Sequence, residues 1–411
     1  MLPRLFVALL VTAAAALAEK APAVSPPSVF SQVDQMVATL SDITGWPVKK
    51  KVPSEILSKE KFQRYLSSHI KDSSHDKETR AEELALKMFG LVPQDFNLAR
   101  ETEDLLGEQA AAFYDYKKKR LYIIDSTPAG EEQQMALVHE LAHALADQQH
   151  SLGKYLNQGS PDSDETTARE AVMEGQATWL TWAYESKRSG GKAEVPAQLL
   201  EQLTREHDGS SEFPVLDKTP LYMRESLLFP YNAGARFQDA VYRKMGRDAF
   251  EAVFDRGPRS TQQILHPSAY FAQTAPGAVE PPAVDKVAGK QAGAFRGVIE
   301  GAVGEFDHAV LLRQYIGKGE GAEAARHWRA GAFRLYENKK GNYPVLSYIS
   351  LWDSPEAARV YFGLYQRVLK GKWKTMEVTS ATETEILGTG DSGRFTVRIS
   401  GSSVQSMEGL R

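Results

Sequence analysis

Between residues 135 and 145 the apolar positions Met135, Val138, Leu141, Ala142 and Leu145 recur every three or four residues, the period of a helix with one face in a core. Thr127 and Pro128 precede this stripe, and Glu131 and Glu132 fall in its first turn. That is helix-start chemistry, and Gly153 suits the stop. A second run of the same period, "ETTAREAVMEGQATWLTWAYES", predicts a helix from Ser163 or Asp164 to Gly190-Gly191. Upstream, 30–90 reads as helical and ends at "KMFGLVP", where Gly90 and Pro93 are stop signals. In "AAFYDYKKKRLYIID" (111–125) two β-rich runs flank a polar turn, which predicts a hairpin. Further helices are expected over 196–206 and 232–256.

Past residue 273 the pattern changes. "TAPGAVEPPAVDKVAGKQAG" is rich in Pro, Ala and Gly and predicts a linker over 274–296. "AFRLYEN" and "YPVLSYISLW" then read as strands. "DSPEAARVYFGLYQRVLK" reads as a helix capped by Ser354 with Pro355 in its first turn, and "RFTVRISGSSVQSMEG" returns to strand. The expected fold class is therefore α+β, with a mainly helical domain over 30–273 and a small α+β C-terminal domain over 297–411.

Composition narrows the function. At 411 residues, with 42% apolar and 25% charged residues and a net charge of −4, the chain is an ordinary globular protein without the basic face that binds nucleic acid. The cluster "KKKR" (117–120) is expected on a solvated hairpin turn. The start, "MLPRLFVALLVTAAAALAEK", has one basic residue, an uncharged run from Leu5 to Ala18 and the small-x-small triplet Ala16-Leu17-Ala18. It reads as a signal peptide over 1–18, followed by a Pro/Ala/Ser tether over 19–29 expected to be disordered. A secreted or periplasmic protein without stable membrane insertion after cleavage is the expectation. Cysteine is absent, so any zinc (Zn2+) must be held by His, Asp or Glu.

The stretch "LVHELAHALADQQH" (137–150) offers such ligands. Helix positions four apart lie about 40° apart on one face, so His139 and His143 can point two imidazoles at one ion. Glu140 stands about 100° round, where a carboxylate can hold the ion's water and take its proton. The competing reading is a core helix that happens to carry histidines. A tetrahedral zinc needs a third protein ligand. His150 would supply it in a metzincin-like pattern, but Ala146 and Gln149 occupy the positions where that pattern has its Gly and third His. "REAVMEGQATWL" instead carries Glu170 and Glu174 one turn apart among apolar residues, where a carboxylate is costly unless paired or metal-bound. Glu174 is taken as the third ligand and Glu170 as the runner-up, with Gly175 and Ala177 allowing this helix to approach the first.

At these residues the sequence resembles the gluzincin metallopeptidases, with HExxH on one helix and a glutamate on the next. It also resembles a family of exported bacterial and archaeal neutral zinc peptidases, through "AFYDYKKKRLYIID", "HELAHALADQQH", "EGQAT", "FPYNAGARF" (229–237), "PRSTQQILHPSAY" (258–270) and "WRAGAFRLYE…LWDSPEAARVYF". The chain departs from that pattern at Ala146-Asp147-Gln148-Gln149, which displaces His150 by one, and at Gln262, which stands where the pattern has Glu. The resemblance implies a zincin-like domain and hydrolysis of peptide bonds by Glu140-assisted attack of a zinc-bound water, with peptide or protein substrates. Asp147, one turn beyond His143, is placed to orient a histidine, against the plainer reading of a surface aspartate. Tyr231 and His266 are candidate donors to the oxyanion; a core tyrosine and a turn histidine are the alternatives. The strand at 112–116 is a candidate edge for strand addition by a peptide. Two other functions compete: a non-hydrolytic binding protein on a peptidase scaffold, and a zinc amidase acting on cell-wall peptides.

Overall fold

The computed structural model of the chain describes residues 27–70, 73–109, 111–125, 130–158, 164–205, 213–284 and 293–411. The expected signal peptide, Thr127, Pro128 and Ser163 lie outside these residues. The architecture is mixed α+β, as expected.

Three long helices build the first part: Glu131–His150 (the motif helix), Asp164–Arg188 (the glutamate helix) and Leu221–Met245 (the tyrosine helix). Their apolar stripes meet in one core, where Leu141, Leu145, Ala168, Ala171, Leu180 and Phe237 are buried. The motif helix ends two residues before Gly153, at Ser151, which takes the left-handed φ of 54° while its N–H bonds Asp147 O. The helix expected over 232–256 is two helices. The tyrosine helix starts at Leu221 and runs through Pro230, and Gly246, at φ 63°, separates it from Asp248–Asp255. Pro230 reads in sequence as a helix breaker, yet packing on the glutamate helix carries the tyrosine helix past it.

The stretch 30–90 is not helical throughout. A helix over Pro27–Thr44 starts inside the expected tether, with proline in its first turn. Its Val33, Met36, Val37 and Leu40 join the core that holds the motif helix. Helices Lys59–Ile70 and Ser73–Phe89 follow a short strand, β1 (Ser54–Leu57). With four residues, β1 is too short to display a period in sequence. The predicted hairpin forms from β2 (Ala112–Asp115) and β3 (Arg120–Ile124), antiparallel, and β1 pairs with β3 in parallel from Ser54↔Leu121 to Leu57↔Ile124. The order β1-β3-β2 leaves β2 at the edge beside the motif helix.

The second part is a seven-stranded antiparallel sheet. Its strands are β4 (Phe295–Ala302), β5 (Trp328–Asn338), β6 (Pro344–Trp352), β7 (Met376–Ala381), β8 (Glu385–Gly390), β9 (Gly393–Ser400) and β10 (Ser403–Leu410), in the order β4-β5-β6-β10-β9-β8-β7. β4 begins inside the expected linker. The helix Pro355–Lys372 packs on β6, β9 and β10, and Ser354 Oγ accepts from the Ala357 N–H at 3.1 Å, the cap its sequence predicts. The helix Glu305–Tyr315 packs back onto the tyrosine helix. Buried residues from Val33 to Val404 form one continuous cluster, so the two parts share a core. Among the described residues, no helix is long and apolar enough to cross a membrane.

Candidate metal centre

On adjacent turns of the motif helix, His139 and His143 present Nε2 atoms 3.0 Å apart. From the next helix Glu174 brings Oε2 to 3.0 Å from His139 Nε2 and 3.3 Å from His143 Nε2. All three side chains are buried. Protons satisfy this triangle poorly, because the two ring nitrogens face each other as well as the carboxylate. A dication suits it well: ligands about 2.1 Å from a tetrahedral zinc stand about 3.4 Å from one another. The donor set, two imidazoles and one carboxylate, is of the kind zinc takes in hydrolytic sites.

Electrostatics prepares the donors unequally. Burial holds the His139 pKa below the usual histidine value. Burial also disfavours charge on His143, but Glu174, Glu140 and Asp147 outweigh it and raise its pKa. Burial opposes charge on Glu174 too, yet the two histidines hold its carboxyl well below the usual range. Glu174 is thus an anion and His139 a neutral ring, the forms that bind metal.

Glu140 is fully buried, and a carboxylate oxygen lies within 4.8 Å of a ring nitrogen of each histidine. Its Oε2 accepts the main-chain N–H of Tyr114 at 2.7 Å. In the antiparallel ladder Ala111 and Ile124 are bonded (Ile124 N–H to Ala111 O, 2.9 Å), so alternate residues such as Tyr114 turn their N–H to the outer edge. All four residues of β2 are buried. On the strand expected to take a peptide by strand addition, the outward Tyr114 N–H is therefore engaged by Glu140. The tyrosine's hydroxyl donates to Asp147 Oδ2 at 2.8 Å.

Asp147 does not orient a histidine. Its buried carboxylate accepts from Tyr114, from Lys119 Nζ at 2.6 and 2.8 Å, and from the Leu152 N–H at 2.9 Å. The basic turn at 117–119 is exposed, as expected, but Lys119 reaches back to neutralise Asp147.

Tyr231 joins the site. Its ring lies 5.9 Å from that of His139 and its hydroxyl hydrogen-bonds Glu174; burial first, and then the charges of Glu174, Glu140 and Glu170, raise its pKa well above normal. Glycine permits this. A Cβ on Gly175 would lie 2.0 Å from Gly234 C, and one on Gly234 would lie 2.0 Å from Ala171 O. The close approach of Gly175 is thus to the tyrosine helix and not, as expected, to the motif helix. It sets Tyr231 over Glu174.

The remaining candidates fall elsewhere. Glu170 is buried one turn before Glu174, with Oε1 lacking a hydrogen-bond partner. His150 stacks on Phe254 at 4.3 Å and stands in a more exposed group with Glu251 and Asp255. His266 Nε2 pairs with Glu305 Oε1 at 2.6 Å, at the start of the helix that links the two parts, and is not one of the residues that converge. Sequence reasoning missed Tyr114, whose contribution is a main-chain N–H, and Lys119, whose partner is distant in sequence.

Residues 294–410 match the family described as a domain of unknown function (DUF8575), which covers the seven-stranded sheet and leaves the histidine site outside it. No curated protein and no solved structure matches the chain.

Proposed function

We propose that this chain is an exported zinc metallopeptidase with a zincin-like catalytic domain, in which His139, His143 and Glu174 hold the metal and Glu140 is the base. The observation that carries the reading is the triangle of two imidazole nitrogens and one carboxylate oxygen, with a second buried carboxylate beside it. The resemblance to the gluzincin pattern supports it, as does the order hairpin, motif helix, glutamate helix. Export rests on the leader read at residues 1–18.

Bound there, zinc would supply Lewis-acid chemistry, polarising a carbonyl and bringing the pKa of a water toward ~7. Glu140 takes the proton of the attacking water and returns it to the leaving amine. The Tyr114 N–H fixes the orientation of that carboxylate. Tyr231, with its phenol held protonated, donates to the oxygen that gains charge. Peptides or proteins are the substrates this chemistry serves.

Elemental analysis of the mature protein tests the metal, with one zinc per chain expected in the wild type and loss in Glu174→Ala. Glu140→Gln should keep the zinc and lose peptide hydrolysis by at least about 100-fold. Undiminished hydrolysis in that variant would sink the mechanism, and a wild type that takes up no zinc would sink the assignment.

A further inference from the structure

His150 has no task in the reaction just described. It closes the motif helix, seven residues past His143 and roughly 10 Å farther along the axis, too far to share an ion with it. Its ring lies between aromatics, stacked on Phe254 at 4.3 Å and edge-on to Trp46 at 5.2 Å, and the side chain is only 8% exposed. Yet its buried Nε2 has no hydrogen-bond partner. An orphaned ring nitrogen is costly, and such groups persist where a ligand completes them.

Two acids face that nitrogen. Glu251 and Asp255 stand four apart on the helix Asp248–Asp255 and so share one side of it. One oxygen of each and a ring nitrogen of His150 lie within 4.8 Å of one another. Glu251 Oε2 is 3.6 Å from His150 Nε2, beyond hydrogen-bond reach. That is close to the separation of about 3.4 Å between ligands of a tetrahedral zinc. The same oxygen accepts the Trp46 indole N–H at 3.0 Å, which holds it in place. Asp255 ends its helix, where the dipole disfavours a negative charge without a cation beside it. Lys49 is near, but its ammonium is held by Gln148 O at 2.8 Å. Burial, aided by Lys49, keeps the His150 pKa below the usual histidine value against both acids, so the ring is neutral, the form that binds metal.

We propose that His150, Glu251 and Asp255 form a second metal site, for a divalent transition ion such as zinc, that clamps the end of the motif helix to the helix Asp248–Asp255. The imidazole sets the site against Ca2+ and Mg2+, which take oxygen ligands. Both acids are exposed, so this is the weaker of the two sites and empties on dialysis, while the buried centre at His139 keeps its ion. The clamp stands whether or not the chain is a peptidase.

Binding and stability test it, not turnover. The mature protein, dialysed against metal-free buffer at pH 7.5, is titrated calorimetrically with Zn2+, Ca2+ and Mg2+. One zinc per chain is expected beyond the zinc that survives dialysis, with Ca2+ and Mg2+ at least about tenfold weaker, and the added zinc should raise Tm. Glu251→Gln, which keeps an acceptor for Trp46, and Asp255→Asn should each weaken this uptake by at least about tenfold and abolish the rise in Tm. The zinc that survives dialysis should be the same in both variants. No further uptake in the wild type overturns the proposal, as does uptake that both variants retain. Ca2+ bound as tightly as zinc also overturns it, by leaving His150 out of the site. Failure of the peptidase reading shows separately, as a chain that keeps no zinc through dialysis yet still takes up the ion that Glu251 and Asp255 hold.

Discussion

The main-chain N–H of Tyr114 donates to Oε2 of Glu140 at 2.7 Å, joining the edge of a sheet to the residue read as the base. The same tyrosine's hydroxyl bonds Asp147 at 2.8 Å, so one residue grips the motif helix two turns apart. Only the second contact is open to side-chain substitution. Tyr114→Phe leaves Asp147 with Lys119 and the Leu152 N–H and removes one bond to a buried charge. A loss of about 1–3 kcal/mol in urea denaturation is expected, with zinc content unchanged. Zinc loss in that variant would show that Asp147 governs the ligands after all.

The glycine crossing is more sensitive. Gly175→Ala places a methyl 2.0 Å from Gly234 C, where backbone cannot yield as a flexible side chain does. The helices must separate, and Tyr231 and Glu174 move apart with them. A cost of about 3 kcal/mol or more is expected, read as a lower Tm together with weaker zinc binding. A Tm within a degree or two of wild type would mean that the two helices do not cross this closely.

How much of this was legible in the sequence follows from which interactions are local. The pairing of His139 with His143 is a helical repeat, and Ser354 with Pro355 is a cap; both are written in adjacent residues and both are found in place. β1 escapes because its stability comes from pairing with β3, over sixty residues away. In sequence Pro230 signals a break within the tyrosine helix, which tertiary packing overrides. Gly175 reads as a point of close approach, but no local pattern says which helix lies opposite, and it is the tyrosine helix. The engagement of Asp147 by Lys119, 28 residues away, has no sequence signature either.

Zinc uptake should depend on pH through His143. Its pKa is raised in the metal-free protein, on balance by Glu174, Glu140 and Asp147 acting against burial. The sign is that of a histidine gaining partners: the protonated ring stabilises the metal-free fold at low pH, and that contribution is lost as pH rises through the raised value. Zinc needs the neutral ring, so affinity falls as pH drops through the same range, by about tenfold per unit for one proton. His139, shifted down by burial, should compete only at lower pH. Chelator competition at pH 6, 7 and 8 measures this. A zinc affinity flat across that range would remove His143 from the ligand set.

A buried ion pair within the C-terminal part also reaches the first part of the chain through its lysine, and its removal should be felt throughout. Lys372 Nζ lies 2.6 Å from Glu408 Oε2, with the two side chains 2% and 1% exposed, and it also donates to Met88 O at 2.8 Å. Tyr365 O–H and Ser406 O–H complete the carboxylate. Met88 belongs to the helix Ser73–Phe89, so this one ammonium bonds the C-terminal sheet to the first part of the chain. Beside it, Gln314 and Tyr315 both donate to Gly90 O. Lys372→Met keeps most of the side-chain volume but strands the Glu408 charge, a change expected to cost about 3–5 kcal/mol. Adding Glu408→Gln removes that charge and should restore part of the loss, giving a positive coupling in a double-mutant cycle. If the sheet were a separate domain on a tether, Lys372→Met would lower only its own transition. With a shared core and the Lys372–Met88 bond between the parts, a single transition should move as a whole, followed by calorimetry, and its splitting into two would show that the parts fold independently.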